Sequence, residues 1–351
     1  MSRYDLSFDD VAALVASLGE PSYRARQLWE GLYSHGADPA ELTTLPKALR
    51  AKLATAAEIA PALTPAIESV SDDGETIKWL WRLHDGRAVE SVLMHYPGRS
   101  TVCISSQAGC AMACGFCATG QAGFDRQLTT GEIVEQVVRA RSAAASTGRR
   151  LSNVVFMGMG EPMANYDSVW RAVERLHGDV GLSARHLTIS TVGIIPGIRR
   201  LASEALPVNL AVSLHAANDA LRDELVPINR RYPLDALHDA CRSYLDAKNR
   251  RLSFEWALID GVNDRASDAA ELAEYARSLG AHVNLIPLNP TPGYPTRGTP
   301  PERVRRFHDA LQALGVNATV RRNRGTDIDA ACGQLRACTD RVELRPRALA
   351  D

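Results

Sequence analysis

The sequence predicts an α/β fold: a parallel βα sheet, either open or curled into a partial (βα)6 barrel, behind a small helical domain and a short β lead-in. Three observations predict it. From about residue 99 onward, short apolar runs alternate with longer helix-like stretches. The first sixty residues carry helical periodicity. Between the two, Ile67 to Pro97 shifts to short strands, with Asp72-Asp73-Gly74 and Asp85-Gly86 as turn signals.

The elements follow in order. Helices are predicted over Phe8 to Leu18, Ser22 to Tyr33 and roughly Ala40 to Ala57, with Pro21 and Pro46 at the breaks, giving a domain over residues 1–62. The lead-in, 63–98, contains TIKWLWRL and AVESVLMHYP and reads as antiparallel. Residues 99–335 form the core, and 336–351 a tail. Six apolar runs in the core, STVCIS, LSNVVFM, HLTIS, VNLAVSL, LSFEWAL and HVNLIPL, are separated mostly by helical stretches such as GEIVEQVVRARSAAA and DAAELAEYARSLG. A seventh, NATVRR, follows a helix around Arg303 to Leu314. Open or curled, such a sheet places its active site at the carboxyl ends of its strands. The Cys110 cluster, Gly158 to Glu161, Ser190-Thr191, Ser213-Leu214-His215 and Asn289 all fall at those ends.

Of the 351 residues, 45% are hydrophobic and 23% charged, the profile of a soluble globular chain with a full core. No run of eighteen apolar residues occurs, and the start MSRYDLSFDD lacks a secretory layout, so a cytoplasmic location without membrane contact is expected. Three of the seven cysteines lie within eight residues, which points to metal binding or catalysis rather than a disulfide framework. The net charge of −1 carries no information about a nucleic-acid partner. Locally, Arg303, Arg305, Arg306, Arg321, Arg322 and Arg324 outnumber Glu302 and Asp309; this is a phosphate-binding patch or a solvated helix face.

The segment GCAMACGFCATG spaces Cys110, Cys114 and Cys117 as C-x3-C-x2-C. Three thiolates bind three irons of a cubane and leave the fourth open to a substrate. A structural zinc would need a fourth protein ligand, and zinc ribbons usually draw it from a second C-x2-C pair, which this chain lacks.

This spacing, with Phe116 before the last cysteine, resembles the signature of the radical SAM superfamily. The resemblance implies a [4Fe-4S] cluster whose open iron is chelated by S-adenosylmethionine (SAM), and a 5'-deoxyadenosyl radical formed by one-electron cleavage. Longer strings, CISSQAGCAMACGFCATG, FMGMGEP, SLHA, VPINRRYP, LIPLNPTPG and RGTDIDAACGQL, resemble the RlmN/Cfr family of RNA adenine methyltransferases over about Glu90 to Leu335. The N-terminal helical segment is similar to theirs as well. The details favour the RlmN branch, which methylates carbon 2 of an adenine in 23S ribosomal RNA and, in some members, of a transfer RNA; the Cfr branch methylates carbon 8. The resemblance also implies a partial (βα)6 radical SAM barrel, a flavodoxin-type electron donor and two SAM molecules per turnover. A monomer is expected.

Extra cysteines make chemical sense for this reaction. The amidine carbon of adenine is electrophilic and cannot attack the methyl of SAM directly, whereas a thiolate can. The resemblance implies that Cys332 accepts the methyl, that Cys103 resolves the later enzyme–RNA adduct as a disulfide, and that Glu90 removes the ring proton. Without the resemblance, Glu90 reads as an exposed strand glutamate. Gly160, Glu161, Ser190, Ser213, Leu214, His215 and Asn289 match SAM contacts. Cys241 lies in the apolar pattern of a helix and reads as core, and Cys338 takes no role. Two rivals stand beside this reading: another radical SAM reaction, which would need neither Cys103 nor Cys332, and a metal-containing RNA-binding protein without catalysis.

Overall fold

The computed structural model describes residues 2–291 and 293–335, with His35 described by its backbone alone. Helix α1 (Phe8–Ser17) begins where the Asp10 amide donates to the Ser7 hydroxyl and the Ser7 amide donates to Asp10, a reciprocal cap worth about 1 kcal/mol. Helix α2 (Tyr23–Glu30) runs on through a π-helical turn to His35 and stops at Gly36, whose φ of +61° turns the chain out of the helix. The third predicted helix is shorter than Ala40 to Ala57. Pro46 has no amide hydrogen and disfavours helical backbone at Leu45, so a single 3-10 turn precedes α3 (Lys47–Thr55).

The lead-in and the core share one ten-stranded sheet. Strands β1 (Thr64–Ser71), β2 (Thr76–Arg82) and β3 (Ala88–Tyr96) are antiparallel, and β3 pairs antiparallel with β4 (Arg99–Cys103). After β4 the chain makes a small hairpin, β5 (Gln107–Gly109) and β6 (Phe124–Gln127), with the short helix α4 (Ala118–Ala122) inside it. The sequence reading did not contain this hairpin. Then the parallel alternation begins: α5 (Thr130–Ser146), β7 (Leu151–Phe156), α6 (Tyr166–Gly178), β8 (Leu187–Thr191), α7 (Ile195–Ser203), β9 (Asn209–Ser213), α8 (Asp219–Leu225) and α9 (Leu234–Lys248). It ends with β10 (Leu252–Leu258), α10 (Ala266–Leu279), β11 (His282–Pro287), α11 (Pro301–Ala313) and β12 (Ala318–Val320). From β4 through β12 each strand of the large sheet pairs in parallel with the next, as the seven apolar runs require. Every residue of β10 is buried, as expected for a strand covered on both faces.

Among the described residues no strand pairing joins β12 to β1. Residues 321–335 span that gap instead. The Arg321 amide donates to Leu285 beside β12, the Gly325 amide donates to the Asp72 carboxylate, and Asp327 is bonded to Ser71 on β1.

The helical N-terminal part is fastened to α5 and α6. Asp5 accepts the Gly131 amide at 2.7 Å, and Arg3 faces the fully buried Glu135 at 3.6 Å. Trp29 donates to Asp179 at 3.0 Å, while the Arg175 guanidinium lies over the rings of Trp29 and Tyr33. Deleting residues 1–60 would strip these partners from buried charges, so point substitutions are the sound way to probe what this part binds. Among the described residues no helix is long and apolar enough to cross a membrane.

Candidate active site

The thiol loop is shaped by residues with no room for a side chain. Gly109 has φ +75°, and a Cβ there would lie 2.1 Å from the Gly123 carbonyl oxygen. A Cβ on Gly120 would lie 2.9 Å from the Cys114 oxygen. Between them the Cys110 amide donates to Gly123, Ala113 takes a left-handed φ of +54°, and the Cys117 amide donates back to Cys114. The three sulfurs are thereby gathered closely enough for each of the Cys110 and Cys114 thiols to feel its neighbours. Burial pushes Cys110 up to about 12 and raises Cys114 well above the ordinary thiol range. Phe116 packs edge-on against His215 at 4.7 Å, and Ala216, Val226, Ala257 and Ile259 complete an apolar wall.

The donor set, three thiols from one loop, suits a cubane, which takes one thiolate per iron. Thiols that burial keeps protonated would ionise once iron took their charge.

Beside the thiols lies the GMGEP turn at the end of β7. A Cβ on Gly158 would lie 2.7 Å from the Ile104 carbonyl, and one on Gly160, at φ +98°, 2.5 Å from Gln107 Cβ, so only glycine lets this turn press on the β4–β5 connection. The Glu161 amide donates to the Gln107 side chain at 2.7 Å. Its carboxylate is buried and accepts the amides of Val192 and Met163 at 2.8 and 3.0 Å. Burial raises its pKa to about 7 against those amides, and its charge is felt by Cys110 and Cys114. A cationic ligand group beside the thiols would find its counter-charge here.

The next strand mouths complete the rim. Ser190 Oγ donates to the Phe156 carbonyl at 2.5 Å. The carbonyls of Ser213 and Leu214 accept from Arg222 at 3.3 and 3.1 Å. His215 holds a left-handed φ of +60°; its Nδ1 accepts the Ala257 amide at 2.9 Å, which leaves its hydrogen on Nε2. Burial, with Arg222 adding to it, lowers this imidazole to about 3 from 6.5, so it is neutral at pH 7. The folded chain therefore refuses a proton that the unfolded chain accepts between those values. Stability is lost as pH falls below 6.5, by up to about 1.4 kcal/mol per unit. The urea midpoint should fall between pH 7 and pH 5, and less steeply in His215→Gln; equal slopes would contradict this assignment.

Arg222 was absent from the candidates that the sequence offered. It lies on α8, where an arginine among Asp219, Asp223 and Glu224 reads as a solvated helix face. Here it is fully buried, donating also to Asn229 and Val192 at 2.7 Å each. The only signal was Asn229 in VPINRRYP, whose amide ties Arg222 to Asp219 and Asp223.

A second thiol pair lies apart from the triplet. Cys103 ends β4, and burial pushes its thiol up to about 12, with the Cys332 thiol raising it further and Arg321 opposing. Cys332 is exposed, yet the protein around it still raises its thiol, again against Arg321. Both are free thiols, so the disulfide that the resemblance implies is not formed in this structure. Asn289 donates to the Cys332 carbonyl at 3.0 Å and accepts from Asn323 at 2.6 Å, so its amide is taken up by the Cys332 segment. That segment also reaches the thiol loop, since the Ala118 amide donates to Gly333 at 2.8 Å and Thr119 is bonded to the Leu335 carbonyl.

Two readings are corrected. Glu90 is no exposed strand glutamate: it is 5% exposed, and its carboxylate lies 3.0 Å from Lys78 Nζ. The six arginines do not form one patch, because Arg303 pairs with Asp260 and Asp264, and Arg324 lies over the Tyr96 ring and donates to the His95 carbonyl. Cys241 is fully buried core, as its pattern implied, and Cys338 lies outside the described residues.

A thiol triplet on the loop after the first strand of a βα sheet defines a class, and residues 104–276 match the model of the Radical SAM superfamily. Residues 4–59 match the ribosomal RNA large subunit methyltransferase N-terminal domain. The chain is 53% identical over 335 residues to a probable dual-specificity RNA methyltransferase RlmN of Salinispora tropica, covering 92% of this chain and 90% of the relative. It is 52% identical over 340 residues to the dual-specificity RNA methyltransferase RlmN of an Anaeromyxobacter species, covering 95% and 89%. The crystal structure of a radical SAM methyltransferase from Sphaerobacter thermophilus superposes with a TM-score of 0.92 at 53% identity, covering 96% of this chain and 99% of that one. The chain belongs to the RlmN family of radical SAM RNA methyltransferases.

Proposed function

We propose that this protein methylates carbon 2 of an adenine in 23S ribosomal RNA, and an adenine of transfer RNA, through a methyl-cysteine on Cys332. One observation carries the reading: two free thiols, Cys103 and Cys332, belong to segments outside the triplet, and the Cys332 thiol lies near enough to raise that of Cys103. Another radical SAM reaction would have no use for them, and a non-catalytic RNA binder would need neither.

In this reading Cys110, Cys114 and Cys117 hold the [4Fe-4S] cluster. Gly160, Glu161, Ser190, Ser213, Leu214, His215 and Asn289 hold SAM, with the Glu161 carboxylate facing its ammonium group. When bound, the cluster and two SAM molecules per turnover supply the methyl group and a 5'-deoxyadenosyl radical, with electrons from a flavodoxin-type donor. The chain's residues do the rest. Cys332 takes the methyl by displacement, its S–C bond forming as the sulfonium C–S bond breaks. Arg321 favours the thiolate this step needs. Glu90 removes the proton from the substituted ring carbon; the Cys103 thiolate then attacks the Cys332 sulfur, so that the S–S bond forms as the S–CH2 bond breaks, and the carbon keeps that electron pair and takes up a proton to become the methyl group of the released base. The protein acts as a monomer, in the cytoplasm where its RNA is.

The roles separate experimentally. Cys114→Ala should lose the cluster, measured as iron and sulfide content, together with SAM cleavage. Cys332→Ala should keep the cluster and lose RNA methylation, read by mass spectrometry of ribosomal RNA, which also distinguishes carbon 2 from carbon 8. Normal methylation by Cys332→Ala would refute the methyl-cysteine route.

A further inference from the structure

Strand register puts a lysine into the site. Lys78 on β2 pairs with Val92 on β3, Val92 pairs with Cys103 on β4, and paired residues point to the same side of a sheet. Glu90, two residues before Val92, shares that side. Lys78 and Glu90 are thus diagonal neighbours next to Cys103, close enough for long side chains to meet. They do meet, at 3.0 Å, with only 13% and 6% of their side chains exposed. The same ammonium donates to the backbone carbonyl of Asp329 at 3.3 Å, three residues before Cys332. Asp329 itself takes a left-handed φ of +52°, a backbone state that its surroundings must hold in place.

From this juxtaposition we infer that Lys78 is a positioning residue that sets the Glu90 carboxylate by reference to the docked Cys332 segment, so that the base is in place only while the methyl-carrying residue is seated. The inference rests on the proposed role of Glu90 as the base. Its logic is geometric. A carboxylate on a rigid strand and a carbonyl on a docked segment share one cation, and withdrawing the segment removes one of the bonds that orient it. The ammonium keeps its proton throughout; the ring proton goes to the Glu90 carboxylate, and the electrons of the broken C–H bond stay with the ring.

The test uses the full-length, cluster-loaded protein with ribosomal RNA from cells lacking the modification. Lys78→Met should load the methyl on Cys332 as the parent does, read by mass spectrometry. It should turn the covalent protein–RNA species over about 100-fold more slowly, the scale of a misplaced catalytic group, so that this species persists on a denaturing gel. Amides of residues 325–333 should exchange with deuterium several-fold faster, and Lys78→Arg should restore both properties. If Lys78→Met does not fold, Lys78→Gln, which removes the charge and keeps a donor, is read in its place. Normal turnover in these variants, slow turnover with unchanged exchange, or loss of Cys332 loading would each overturn the inference. If the parent protein itself carries no methyl on Cys332, the proposed function falls and takes this inference with it; a methylated parent beside an unaffected Lys78→Met sinks the inference alone.

Discussion

Replacing Cys103 with Ala is expected to stop RNA methylation after the covalent step and to leave protein and RNA joined. The thiol sits at the end of β4, opposite Val92 and Val155, on a half-buried residue flanked by the Cys332 thiol and Arg321. Its sulfur is hydrogen-bonded to the backbone of Met157 and belongs to neither the triplet nor the side chains of the GMGEP turn, so methyl loading and radical formation should continue in the variant. What disappears, on the proposed route, is the nucleophile that takes Cys332 off the adduct. Turnover should fall about 10,000-fold or more, the scale on which removal of one member of a catalytic unit acts. The adduct should appear as a nuclease-sensitive shift on a denaturing gel. Loss of activity without a trapped adduct would remove Cys103 from the resolving role, and normal turnover would do so outright.

The largest effect on stability is expected from Arg222→Met. The guanidinium donates to the carbonyls of Leu214, Val192 and Ser213 and to the Asn229 side chain, joining the ends of β8 and β9 from inside. Methionine fills part of the volume and satisfies none of these acceptors. Burial already lowers the arginine's pKa, and those oxygens, with the nearby Asp219 carboxylate, oppose that loss and hold its charge there. Removing it also leaves Asn229, Asp219 and Asp223 bonded to each other without the cation that organises them. The loss should be about 3–5 kcal/mol, the range for breaking a buried charged network. It is measurable as a drop in the urea midpoint, accompanied by lower iron retention because Ser213 and Leu214 border the site. A change below about 1 kcal/mol, the net worth of one ordinary hydrogen bond, would mean that water replaces the guanidinium without difficulty.

The parts legible in the sequence are those whose physics is local or repetitive. Strand β10 reads as LSFEWAL because both of its faces are covered, and the apolar runs of the neighbouring parallel strands are legible because each buries at least one face. The triplet is legible because its spacing is confined to eight residues. The hairpin β5–β6 was not, since QAG and FDRQ carry no alternation and exist as strands only through each other. Arg222, Lys78 and Arg303 share a different reason. A charged residue on a helix or a lead-in strand reads as solvated until the fold brings its partner: Asn229 for the first, Glu90 and Asp329 for the second, Asp260 for the third. The sites of the two extra thiols were legible only through long strings of resemblance; that they approach each other is a property of the sheet and of the segment bridging its ends.

That bridging segment has a mechanical consequence. A strand-closed barrel would have to break a ladder of backbone bonds to admit a folded nucleic acid. Here the closure is made instead by separate contacts, among them those to Asp72, Ser71, Lys78, Asn289 and Ala118, each worth about 1 kcal/mol net. Among the described residues the seam is thus held without a strand ladder, and its own backbone carries Cys332. If Cys332 carries the methyl as proposed, unfastening this segment also moves that sulfur, and entry of the substrate and presentation of the methyl then become one displacement instead of two.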